Sequence, residues 1–446
     1  MHPPSIETVV AREELVESIR VHGRPVVTDH TRAVISELRA ELNPGDPWPS
    51  TEAITDRIKM GLASHSRRLP TRVINATGVL LHTNLGRAPW SDKLLKGISD
   101  RLTSYNSLEF DLATGARGKR GIAVEQELAQ LTNAESAMIV NNNAAAIYLV
   151  LTALAWNREV IISRGELVQI GGGFRIPEIL AKSGAILREV GTTNQTNAND
   201  YDKACGAQTA MILKVHRSNF VQTGFVSEVE PRELAAVGKN HRVPVVWDIG
   251  SGGVGLGAVC EFSGEPTLRA AVGSGVDLVT SSGDKLFGGP QAGIVLGRAD
   301  LIQKLKADPF YRALRPDKSV LLAMEFTVKA HRAGRAAELI PLYQLLAVSV
   351  DKLRVRADAI AKHANSRGRT ATVVETQDTF GGGAAPGKTI AGWGVRIETA
   401  KPDELVKRAR DFSTPIIATV TDGCVVFSMR TMFGEDDQLL VSFLHA

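Results

Sequence analysis

Three cysteines in 446 residues, Cys205, Cys260 and Cys424, are odd in number and widely spaced. That excludes a disulfide scaffold and any paired metal or redox motif, and leaves reduced thiols. Charge of one sign is also missing: Lys+Arg 52 against Asp+Glu 48 gives only +4, which is no nucleic-acid footprint by itself. The longest apolar run, Ala144 to Trp156, is interrupted by Thr152 and is too short to span a bilayer. The opening MHPPSIETVVAREEL has neither a basic n-region nor an apolar h-region, so the expectation is a soluble, cytoplasmic protein without a membrane partner. The ten histidines show no HExxH or clustered spacing, so no metal is expected. What is present is ordinary globular composition, 43% apolar and 22% charged, at a length that suggests two or three domains.

Three regions differ in texture. Residues 5 to 42 read as two amphipathic helices, the first capped by Ser5 and broken at His22-Gly23-Arg24-Pro25, followed by the linker NPGDPWPS and a third helix near Thr51 to Ser64. Residues 1 to 66 carry 7 basic and 10 acidic side chains, so any RNA contact there uses selected faces. From Arg72, β-branched runs at 137–140, 160–163, 186–190, 210–215, 243–247 and 276–280 alternate with helical stretches. That alternation predicts a mostly parallel sheet with helices on both faces, ligands lying beyond the carboxyl strand ends. Beyond Leu322 a long helical tract runs to about Asn365. Short strands near 370–375, 393–397 and 424–429 and a helix near 403–412 then predict a small α+β domain, with Gly381–Gly383 as a loop. The expected boundaries are 1–66, 67–330 and 331–446.

Asp248 closes the buried run VPVVWD, and Lys285 follows VDLVTSSGD. Both project at the ligand edge of such a sheet. Ser282 and the glycines around Lys285 leave room for a Schiff base with a flat cofactor. A strand-end aspartate suits a pyridinium nitrogen that must stay protonated. Alone, either residue reads as a salt-bridging lysine or a capping aspartate; together they point to pyridoxal 5′-phosphate in an aminotransferase-like fold. In VNNNAAAIYLVL, Asn142 or Asn143 can cap a helix whose first turn, from Ala144, offers N–H groups to a phosphate. Gly250, Gly252 and Gly255 match a dinucleotide fingerprint in letters, but no helix or ribose-binding acid follows, so the match is chance. His82 and His216, near strand ends, read as hydrogen-bonded structural histidines. Arg87, Arg312 and Arg315 would clamp a tetrahedral oxyanion if they converged, which spacing does not show.

RVINATGVLLHTNLGRAPWS, NSLEFDLATGARG, VNNNAAAIYLVL, SRGELVQIGGGFRIPEI, SGAILREVGTTN, KVHRSNF and SGDKLFGGPQAGIVLG with RALRPDK together resemble the bacterial selenocysteine synthase family, the L-seryl-tRNA(Sec) selenium transferases. The resemblance runs from PSIETVV to RTMFGEDDQLL. It implies a PLP-dependent, fold type I large domain, a small C-terminal α+β domain, and a helical N-terminal module that holds tRNA. It implies Lys285 as the Schiff-base lysine, Asp248 as the pyridinium partner, and Arg87, Arg312 and Arg315 at the anionic selenium donor, selenophosphate. It further implies seryl-tRNA(Sec) as substrate and a homo-oligomer, a decamer built from dimers. ARGKRGIAVEQ, HRSNF and Arg396 depart from the family pattern. Arg396 stands where a small-domain arginine could bind a free carboxylate, which an aminoacyl ester lacks. A PLP-dependent lyase or aminotransferase acting on a free small amino acid or amino sugar acid is therefore the alternative reading.

Overall fold

The computed structural model describes residues 3–43, 45–66, 69–254 and 265–445; Cys260 and Gly255 lie outside them. The chain divides into two compact units, Met1–Val73 and Ile74–Ala446. In the first, Ser5 Oγ accepts the Thr8 N–H at 3.1 Å and starts the helix Ile6–Val10. The helix Val16–His22 stops at Gly23, whose φ of 82° removes it from helical geometry, and Arg24–Glu41 then begins with a proline in its first turn. With Thr51–Ser66 these helices enclose Val9, Leu15, Val27, Val34, Leu38, Ile54, Ile58 and Leu62. One expected helix over the first segment is thus two, separated by the turn Glu13–Leu15.

The second unit is built on a seven-stranded sheet. Its strand order is Ser136–Val140, Gly293–Gly297, Leu278–Ser282, Val245–Ser251, Thr209–Val215, Glu159–Ser163 and Ile186–Val190. Every pairing is parallel except those of Gly293–Gly297, which runs antiparallel to both neighbours. Only three strongly apolar residues between glycines mark that strand in sequence, which is why the strand pattern did not include it. The central strands Thr209–Val215 and Val245–Ser251 are buried along their whole length, as expected for a sheet covered on both faces. Apolar clusters fill both faces, one around Leu128, Ile212, Trp247 and Phe287, the other around Ile147, Leu151, Met211 and Val295.

A five-stranded sheet follows, with Ile74–Ala76 on one edge pairing in parallel with Ile416–Thr421. The remaining strands, Cys424–Ser428, Ala384–Glu398 and Thr370–Gly381, pair antiparallel. The expected short strands at 370–375 and 393–397 are parts of one long hairpin whose turn is the glycine triplet. Alternation was hidden there because polar residues stand on both faces, Thr376 and Asp378 on one and Thr379 on the other. Residues 74–76 complete the sheet of the C-terminal third, and Ile74–Ala446 groups as one compact unit. No helix of the described residues is long and apolar enough to cross a membrane.

Candidate active site

Three strand ends on the carboxyl edge of the large sheet open into one cavity of about 550 Å³. Asn142, Asn143 and Ala144 enter from the end of Ser136–Val140, Asp248 and Gly250 from Val245–Ser251, and Ser282 with Asp284 and Lys285 from Leu278–Ser282. Arg87 and Thr83 come from the segment before the helix Asp92–Thr103, and Gly382 and Gly383 from the hairpin turn.

Asn142 is the cap: its Oδ1 accepts the Ala145 N–H at 2.8 Å, opening the helix Asn143–Ala155. The N–H groups of Asn143 and Ala144 head that helix with no carbonyl four residues back to receive them, and the dipole end is positive. Asn143 does something else. Its Nδ2 donates to Asp248 Oδ1 at 2.9 Å. The same oxygen also accepts Gly250 N–H at 2.9 Å and Thr280 Oγ1–H at 3.1 Å. Three donors therefore converge on one carboxylate oxygen, and Oδ2 takes no hydrogen bond from any described residue. Burial pushes the Asp248 carboxyl above its ordinary range, while the three donors and Lys285 favour its ionised form.

Lys285 is 5% exposed, and its Nζ donates to Gly383 O at 3.3 Å. Burial lowers its pKa first, and the Arg87 guanidinium lowers it further. Gly381, Gly382 and Gly383 hold φ of 70°, 62° and 71°, a left-handed run that brings backbone to the amine. A Cβ on Gly383 would lie 3.4 Å from both Lys285 Nζ and Ser218 Oγ.

Arg87, itself at φ 61°, donates through Nη1 to Asp284 Oδ2 at 2.8 Å. Asp284 is 6% exposed, and its Oδ1 is buried with no partner among the described residues. Sequence reasoning assigned Asp284 no role, although it directly precedes Lys285. Thr83, Asn219, Gln291 and the Gly382–Gly383 backbone were likewise not singled out for this cavity. Loop residues meeting from distant segments leave no periodic signal.

The three arginines do not meet within one chain. Arg312 is exposed on the turn Pro309–Leu314. Arg315 stacks over Tyr311 at 5.3 Å and lines a different cavity with Arg120 and Lys306. Arg396 lines a third, with Glu375, Asp378 and Asp422. His216 meets the structural expectation, its Nε2 lying 3.1 Å from Glu265. His82 does not, because its Nδ1 is buried without a partner among the described residues.

The family model for L-seryl-tRNA selenium transferase matches residues 73–433, and that for the selenocysteine synthase N terminus matches residues 4–39. The chain belongs to the L-seryl-tRNA selenium transferase family. Relatives carrying that name include proteins of Geobacter sulfurreducens, 39% identical over 99% of this chain and 97% of theirs, and Aquifex aeolicus, 41% identical over 93% and 90%. A solved structure of D-glucosaminate-6-phosphate ammonia-lyase, 20% identical, superposes with a TM-score of 0.62 over 86% of this chain and 97% of its own. The chain thus shares its fold with that lyase over most of its length, and the mostly parallel sheet with helices on both faces is the architecture expected from the strand and helix order.

The cavity of this family member fits pyridoxal phosphate on three observations. Its volume lies in the range of small-molecule sites. Asp248 has one carboxylate oxygen without a hydrogen bond from any described residue, as a ring nitrogen would require, and a buried lysine sits beside the hairpin glycines. The helix start at Asn143 and Ala144 offers N–H groups to a phosphate.

Proposed function

We propose that the chain converts L-seryl-tRNA(Sec) to L-selenocysteinyl-tRNA(Sec), using pyridoxal 5′-phosphate as cofactor and selenophosphate as selenium donor. The observation that carries this reading is one cavity joining Lys285, Asp248 and the Asn142–Ala144 helix start to Arg87, in a chain of this family. When bound, such a cofactor supplies an electron sink for charge left at the α-carbon of an amino acid.

The residues would divide the work as follows. Lys285 would hold the cofactor, and its free amine would take the α-proton. Burial and the Arg87 guanidinium lower the pKa of this amine, so it carries a free lone pair over more of the pH range than an exposed lysine does. Asp248, through Oδ2, holds a proton on the ring nitrogen, and Asn143, Thr280 and Gly250 fix the carboxylate's plane. Asn143 and Ala144 bind the phosphate with their N–H groups, and Ser282 bounds the same space. Arg87 binds the anionic donor. Asp284 takes only its Nη1, leaving the rest of the fork for a second anion. The serine hydroxyl would leave as water, selenium of the donor would join the β-carbon while a proton returns to the α-carbon, and a water would cleave the selenium–phosphorus bond to release phosphate.

Arg312 and Arg315 stand outside their own chain's cavity, so we assign them to the cavity of a neighbouring copy in a homo-oligomer. Two separate sets of exposed apolar side chains support self-association: Tyr105, Phe110 and Leu112 on one segment, Phe220, Val221 and Phe225 on another. Two distinct faces are what a ring of dimers requires. The helical unit at the N-terminus would hold the tRNA.

The test supplies purified protein with seryl-tRNA(Sec) and selenophosphate, or thiophosphate, and follows selenium or sulfur into charged tRNA. Incorporation supports the reading. Turnover of free serine with no response to tRNA would overturn it in favour of a lyase or aminotransferase.

A further inference from the structure

The edge of the large sheet opposite the Lys285 cavity carries a second concave surface of about 720 Å³. The amino ends of the strands Thr209–Val215 and Val245–Ser251 border it, with the turn before Leu278–Ser282 and the far end of Gly293–Gly297. Six cations line this basin: Arg158, Arg232, Lys239, Arg242, Arg298 and Lys304. Among the described residues two carboxylates line it with them, Asp277 and Asp300, and Arg298 engages both, at 2.7 and 2.9 Å. Arg158 gives one N–H to Thr209 O at 2.6 Å. Arg232, Lys239, Arg242 and Lys304 make no ion pair with any described residue.

Helix ends explain part of this charge. Asn143–Ala155, Pro231–His241 and Leu268–Gly273 all finish at this edge, and cations are favourable near helix C-termini. Each terminus is equivalent to roughly half a negative charge, so three account for about 1.5. Six cations against two carboxylates leave a surplus of four, well beyond what the dipoles neutralise. A positive field remains, held on rigid helices and strand ends.

The chemistry favours an extended polyanion over a compact one. All six cations are exposed, whereas a pocket for a single small anion encloses its ligand with buried donors. Among the described residues no aromatic lines the basin to stack on a base, so the contact argued for a nucleic acid is to its phosphates. We propose that this basin is a second RNA-contact surface, gripping backbone phosphates of the tRNA substrate on the large unit. The proposal rests on the tRNA-dependent reading above.

The experiment compares binding of tRNA(Sec) to the full-length, cofactor-loaded wild type and to a triple variant, Arg232→Gln, Lys239→Gln and Lys304→Gln, across salt concentrations. Each lost phosphate contact lowers the slope of log affinity against log salt by roughly 0.7 to 0.9, so the triple variant should fall by about 2 to 3. Between 50 and 200 mM salt its affinity should then drop about 20- to 40-fold less than that of the wild type. An unchanged slope overturns the proposal. So does an equal fall in a control triple that removes the exposed Lys352, Lys362 and Lys407, since bulk charge would then be responsible. Inorganic pyrophosphate that binds the wild type but not the basin variant, without competing with tRNA, would reassign the basin to a small anion. A wild type that binds no tRNA at all overturns the functional reading itself. A wild type that binds, with an unaltered triple variant, removes the basin alone.

Discussion

Replacing Asp248 by asparagine separates two roles that one carboxylate performs. The three donors from Asn143, Thr280 and Gly250 all end on Oδ1. An asparagine can keep its carbonyl oxygen in that position, so the fold should lose little. Its amide NH2 then occupies the place of Oδ2 and presents a donor to the ring nitrogen. A protonated nitrogen there would face a donor instead of an anion, and a hydrogen bond to a charged group is worth about 1.5–3 kcal/mol. The expected loss in turnover is therefore at least about 10- to 150-fold, at 1.4 kcal/mol per factor of ten, with cofactor still bound. Asp248→Ala should behave differently, because it strands three donors at once. At roughly 1 kcal/mol net for each bond, it should lose about 3 kcal/mol of stability that the asparagine variant retains. The assay pairs selenium incorporation with thermal unfolding of the same samples. Asp248→Asn at wild-type turnover, or an alanine variant as stable as the asparagine one, would refute the reasoning.

Other perturbations follow from the same geometry. Arg87→Ala leaves Asp284 buried and unpaired, which costs about 3–5 kcal/mol, so the double variant Arg87→Ala/Asp284→Ala should melt above the single one. Gly383→Ala and Gly423→Ala share a left-handed backbone, at φ 71° and 72°, but only the first meets Lys285 and Ser218. Both should lower stability by roughly 1 kcal/mol, and only Gly383→Ala should also weaken cofactor binding in titrations followed by absorbance. The lowered pKa of Lys285 means that the unfolded chain binds a proton which the folded, cofactor-free chain holds less well. Lys285→Met should thus stabilise the cofactor-free protein, most at low pH and progressively less as pH climbs from the folded pKa toward 10.5. A gain that does not vary with pH in thermal melts would contradict it.

Legibility in the sequence tracked how local each signal is. The buried strands at 210–215 and 243–247 declare themselves by unbroken β-branched runs, and the residues just past such strands, Asp248 and Lys285, inherit their place from parallel topology. The Asn142 cap was legible as one of two adjacent choices. Which asparagine caps and which reaches Asp248 is decided by the direction of a single peptide, and both carry the same side chain. The hairpin 370–398 was read as two short strands because glycines and threonines interrupt its apolar face. Its turn supplies Gly383 to the cavity only through tertiary packing, and a glycine triplet looks like any loop. Arg87 and Asp284 lie 197 positions apart, so their pairing is a fact of the fold. The arginines Arg312 and Arg315 show the converse limit, since shared chemistry along a sequence carries no information about which surface each one faces.

The electrostatics of the cavity make sense only with a partner inside it. Burial alone moves Asp248 toward its protonated form and Lys285 toward its neutral form, each shift opposing the charge that the residue normally carries. A chain that needed these groups only for stability would do better with apolar side chains of similar size, since uncompensated buried charge is costly. Yet three donors are spent on one oxygen of Asp248, and a hairpin is bent through three left-handed glycines beside Lys285. That arrangement would orient a carboxylate toward a cation and an amine toward an electrophile. A protonated ring nitrogen and an aldehyde carbon supply both, on one flat molecule. Cofactor binding should therefore raise the melting temperature of the wild type more than that of Asp248→Asn, the difference measuring how much of the carboxylate's burial cost the ring nitrogen offsets. Equal shifts would mean that the two groups never meet.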